Sequence, residues 1–101
     1  MAYNPGALEA ALAAAVGETP DLVAELRAAF FDSADAHVVA LQSVSTSEEW
    51  LAKLRRLRSL AASFGATRLM DAAHAAESAA PGDKLTVARI ERTMAALRRT
   101  I

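Results

Sequence analysis

The sequence predicts an all-α protein, and three observations carry that reading. Alanine, the strongest helix former, makes up about a quarter of the 101 residues. The alternation of branched or aromatic with polar residues that marks a half-buried strand is almost missing. Glycine, proline and short polar clusters instead divide the chain into segments whose apolar residues recur at helical spacing.

Five segments follow from that punctuation. Asn4 is placed to cap a short first helix with Pro5 at its first position, and Gly17 to end it. Leu8, Leu12, Ala15 and Val16 form its apolar line. Thr19 then caps a long second helix that starts at Pro20 and runs to about Val44. Its stripe is Leu22, Leu26, Phe30, His37 and Leu41. After the polar Ser45-Thr46-Ser47, Thr46 and Glu49 have capping-box spacing and open a third helix near Ser47. Trp50, Leu54, Leu57, Ala61 and Phe64 are its buried positions, and Gly65 stops or bends it. A fourth helix is expected from Ala66 to about Ala80, with Leu69, Ala73, Ala76 and Ala80 on one face. Pro81-Gly82-Asp83 breaks the chain again, and Asp83 caps a last helix striped by Ile90, Met94, Leu97 and Ile101. Four long amphipathic helices on short loops predict an antiparallel up-down four-helix bundle, with the short N-terminal helix as a lid. The whole chain, 1–101, reads as a single domain.

Composition narrows the function. The sequence has no cysteine, which removes disulfides and thiolate metal sites together. A net charge of −1 gives no electrostatic case for nucleic acid as the main partner. The start of the chain lacks a basic segment followed by an apolar run, and no stretch reaches the apolar length of a membrane span. The expectation is a cytoplasmic protein with no cofactor, no metal and no membrane partner. The cluster Lys53 to Arg58 is interrupted by Leu54 and Leu57, so its charges spread around a helix instead of forming a nucleic-acid stripe. One His74-Ala75-Ala76-Glu77 run is the reverse of the Glu-x-x-His pairs of carboxylate di-metal bundles and occurs once.

The third and fourth segments carry a pattern with more content. The run Arg55-Arg56-Leu57-Arg58-Ser59-Leu60-Ala61-Ala62-Ser63-Phe64-Gly65-Ala66 is followed by Leu69 and by Ala76-Glu77, and Phe30-Phe31-Asp32 lies upstream. This resembles the histidine phosphotransfer (HPt) domain of two-component signalling, over about Pro20 to Asp83. In that family an exposed helical histidine precedes a Leu-Lys-Gly run, small residues and a closing Gly-Ala. Leu57 matches the buried leucine, Arg58 the lysine position, and Gly65-Ala66 the closing pair. The histidine position is held by Arg55, and the glycine position by Ser59.

The resemblance implies a bundle that docks the receiver domain of a response regulator, or a histidine kinase, in bacterial phosphorelay. It also implies phosphoryl transfer through a neutral imidazole nitrogen, which Arg55 cannot supply because guanidinium stays protonated and offers no lone pair. The expectation is therefore a non-catalytic interaction domain. On a helical wheel Arg55 and Ser59 point away from the core, with Leu51, Arg58 and Ala62 on the flank of the same face. These five residues form the expected partner-binding surface, Arg55 pairing with the acidic pocket of a receiver or its phosphoryl group. The plain alternative is that outward arginines are solvated charges.

Two histidines remain as other acceptors. His37 falls within an apolar stripe, where a half-buried, hydrogen-bonded imidazole is the ordinary outcome. His74 points away from the Leu69–Ala73–Ala76 line, with Asp71 and Glu77 three residues to either side. An active phosphotransfer protein using His74 or His37 is the second functional reading. A structural or dimerising bundle is the third, the chain being a monomer or a weak dimer.

Overall fold

A computed structural model describes residues 20–100. The expected first helix, its role as a lid, the Thr19 cap and Ile101 lie outside the described residues. Four α-helices and no strand occur among them: α1 (Pro20–Leu41), α2 (Ser47–Ser63), α3 (Thr67–Ala76) and α4 (Lys84–Arg99). Each helix packs on the next in the chain, and α4 returns to α1. Among the described residues no helix is long and apolar enough to cross a membrane.

Helix ends follow the sequence cues closely. Thr46 Oγ1 accepts the Glu49 amide at 3.2 Å and starts α2. Gly65 ends it at φ 68°, while the Gly65 amide bonds the Ala62 carbonyl and the Ala66 amide bonds that of Ala61. That pattern is a Schellman cap, and its apolar partners Ala61 and Ala66 are both fully buried. At α4, the Asp83 carboxylate accepts both the Thr86 amide at 3.0 Å and the Thr86 hydroxyl at 2.6 Å.

The hydroxyl bond first, then the amide bond and the positive charge of Arg89, hold the Asp83 carboxyl below its ordinary value. A lowered folded-state pKa contributes stability that is full above the ordinary aspartate range and is lost as pH falls through the folded value. Urea denaturation of wild type and Asp83→Asn across acidic pH should show a stability gap near neutrality that closes as the carboxylate protonates.

Two helices are shorter than their patterns suggest, for local reasons. α1 stops at Leu41 because the amides of Gln42, Ser43 and Val44 turn to carbonyls three residues back, a tightened turn that tucks Val44 into the core. α3 stops at Ala76, four residues before Ala80. The amides of Glu77 and Ala79 likewise bond three residues back, and Pro81 disfavours a helical Ala80. The buried Trp50 indole N–H donates to the Ala76 carbonyl at 3.0 Å, satisfying one helix-end acceptor from outside the helix.

The core is built from Trp50, Phe30, Leu41, Leu54, Leu57, Leu69 and Ile90, with Val87, Met94 and Leu97 from α4. Trp50, Leu54, Leu57 and Ala61 are buried as the α2 stripe predicts, and Phe64 is half-buried against Phe30 with ring centroids 4.9 Å apart. Leu69, Ala73 and Ala76 of α3 are buried as well, but Ala80 is exposed.

The α1 stripe needs the largest correction. Phe30 and Leu41 are buried, but Leu22 is 46% exposed, and Leu26 and His37 are only half-buried. Phe31, Ala34 and Val38 take the inward places instead. Burying Val38 in place of its neighbour His37 avoids desolvating an imidazole that has no hydrogen-bond partner among the described residues. Phe31 gains a further reason to turn inward, since the Arg98 guanidinium lies 4.8 Å over its ring and pairs with Asp35 at 2.6 Å.

Gly82 ties the loop between α3 and α4 to the loop between α1 and α2. It sits at φ 73°, and a Cβ built there would meet the Val44 carbonyl at 2.9 Å. Gly82→Ala combines a left-handed alanine with a backbone clash, and is expected to cost at least about 1–2 kcal/mol in urea denaturation.

Candidate functional site

The outer face of α2 is set by what the helix buries. With Trp50, Leu54, Leu57 and Ala61 turned inward, Arg55, Ser59 and Ala62 fall on the far side and are exposed, while Leu51 at the edge is half-buried. Arg55 makes no hydrogen bond or ion pair among the described residues. Its whole guanidinium is therefore open to a partner. Ser59 is free of side-chain bonds too, although its carbonyl accepts the Ser63 hydroxyl at 3.0 Å. Arg55 is thus the cation of this face that no described residue engages.

Arg58, on the flank, behaves differently. Its Nη1 lies 2.9 Å from Glu77 Oε2 and 2.9 Å from His74 Nδ1, and so joins α2 to the end of α3. Arg58 thus anchors a neighbouring helix, and its remaining N–H groups are what it can offer outward. Its side chain is 44% exposed, so the pair with Glu77 contributes at most about 1 kcal/mol.

His74 is drawn into the same cluster. Its side chain is 71% exposed, and Nδ1 stands 3.3 Å from Glu77 Oε2 as well as 2.9 Å from Arg58. The Glu77 contact needs a proton on Nδ1, whereas the Arg58 contact, to a guanidinium that only donates, needs Nδ1 as acceptor and puts the proton of a neutral ring on Nε2. In that tautomer the Nδ1 lone pair is directed at Arg58, and Nε2 has none free to attack phosphorus. Asp71, the other carboxylate expected beside His74, is exposed and makes no bond to it.

The structure therefore brings Arg58, His74 and Glu77 together, and leaves Arg55, Ser59, Ala62 and Leu51 as the open part of the face. His37 lies apart on α1. The His74–Glu77 spacing is legible in the sequence at three residues, but the link to Arg58 spans 16 and depends on how α2 and α3 pack. Among the described residues no group of three metal-ligating side chains converges.

No family model, no curated protein and no solved structure matches this chain.

Proposed function

We propose that this chain is an HPt-like, antiparallel up-down bundle of bacterial two-component signalling, which docks a receiver domain in the cytoplasm without carrying phosphate. A histidine kinase is the alternative partner. The observation that carries the reading is Arg55, an exposed and unpaired guanidinium at the position where the motif it resembles places the phosphorylated histidine. Its planar fork of donors suits the carboxylates of a receiver's acidic pocket, or a phosphoryl group held there. Ser59 and Ala62 beside it are small enough to let a partner approach closely. Transfer to His74 is the second reading, favoured by the exposure of that ring. The engagement of Nδ1 by Arg58 weighs against it.

The test is incubation of the purified chain with phosphorylated receiver domains from the same genome. Complex formation without acid-labile phosphate on this chain supports the proposal. Acid-labile phosphate that disappears in His74→Gln protein supports the second reading, and no complex with any receiver or kinase removes both.

A further inference from the structure

A separate groove runs between α3 and α4, on elements that the proposed docking face does not use apart from the α3 end held by Arg58. Its cavity is about 520 Å³. Arg68 of α3 and Arg89 and Arg92 of α4 line it, three of the chain's 11 basic residues, whereas no acidic side chain does among the described residues. Arg68 and Arg92 form no ion pair or hydrogen bond among the described residues, and Arg89 acts only at a distance on Asp83. In a protein of net charge −1, that is a local concentration of cations without an ion-pair partner among the described residues.

Between the arginines the lining is apolar and small, made by Ala72, Ala75, Ala76 and Ala96. The two threonines present add little polarity: Thr86 donates its hydroxyl to Asp83, and Thr93 donates its own to the Arg89 carbonyl. The groups left to recognise a ligand are thus guanidinium donors around an alanine lining. From Thr86 to Ala96 the groove follows α4 for about 15 Å, or nearly three helical turns. A single inorganic anion occupies only a fraction of that length. Nucleic acid needs a wider cationic field, yet Asp71 and Glu91 are exposed on the same two helices.

We infer that this groove binds an acidic, alanine-rich helical segment of a partner protein, with carboxylates at helical spacing paired to Arg68, Arg89 and Arg92. Small residues of the segment lie against the alanine lining, and its carboxylates accept from the guanidinium groups, some in bidentate fashion. The site is independent of Arg55, so two partners can be held at once.

The test follows backbone amide shifts of the ¹⁵N-labelled full chain during titration with a capped helical peptide of repeated Glu-Ala-Ala-Ala. Saturable shifts at Arg68, Ala72, Arg89, Arg92 and Thr93 are expected, weakened about tenfold or more by Arg68→Glu or Arg92→Glu. Both variants remove exposed side chains that have no partner among the described residues, so circular dichroism should show the fold retained. Arg89→Glu is avoided because Arg89 also supports the Asp83 cap. Arg55→Glu should leave the peptide affinity unchanged, which separates this site from the receiver-docking face. Any one of four results overturns the inference: no saturable shifts in the groove, equal binding of the Gln-for-Glu peptide, equal binding of inorganic phosphate, or tighter binding of oligothymidylate of the same charge. Concentration-dependent self-association abolished by Arg92→Glu also overturns it, by showing a second copy as the occupant.

Discussion

Replacing Trp50 with alanine is expected to cost about 3–5 kcal/mol. Trp50 is 1% exposed, so the substitution opens a large void in the middle of the core. It also removes the indole donor to Ala76, at the point where α3 ends and the loop toward α4 begins. A domain of this size has roughly 5–15 kcal/mol in total, so the variant stands near the limit of cooperative folding. Trp50→Phe separates the two effects. It keeps most of the apolar volume and leaves the Ala76 carbonyl with the Ala79 amide alone, for an expected loss of about 1–3 kcal/mol. Far-ultraviolet circular dichroism during urea denaturation measures both, since Trp50 is the only tryptophan in the sequence.

Reversing the charge of Arg55 is expected to weaken receiver binding at least about tenfold while leaving stability nearly unchanged. The side chain is exposed and pairs with nothing among the described residues, so Arg55→Glu withdraws no internal contact. It places a carboxylate against the acidic pocket that the proposed partner presents, which adds repulsion to the lost attraction. Arg56→Glu is the matched control: the same charge change, also exposed, about 100° around the helix from Arg55. Isothermal titration of both variants against one receiver compares a located effect with a diffuse one. Equal losses in the two would point to general electrostatics.

Local signals account for most of what the sequence reveals about the fold. The Thr46 cap, the Gly65 stop and the Asp83 cap each depend on residues within a few positions of one another, and all three are found where the sequence puts them. The stripes of α2, α3 and α4 are legible because each of these helices buries one narrow line of side chains. α1 is harder to read because its buried set covers two adjacent lines, with Phe30 and Phe31 both inward, so that a single period of 3.6 does not separate Val38 from His37.

The candidate site divides in the same way. The outward direction of Arg55, Ser59 and Ala62 follows from helix geometry and is plain in the sequence. The capture of Arg58 and His74 by one another is not, since nothing local places a residue of α2 beside one of α3. The arginines around the α3–α4 groove were equally hidden: Arg89 and Arg92 are three apart, but Arg68 joins them only through packing. Long-range electrostatics of this kind emerges once helix faces meet.

In the function proposed, the outer face of α2 holds a receiver domain through Arg55 without accepting phosphate. Mapping the backbone amide shifts of the ¹⁵N-labelled chain against phosphorylated receiver domains of the same genome tests it most directly. Shifts centred on Leu51, Arg55, Ser59 and Ala62 are expected, with the His74 ring signals retaining their unphosphorylated form. A footprint elsewhere, or phosphorylation of His74, would contradict it.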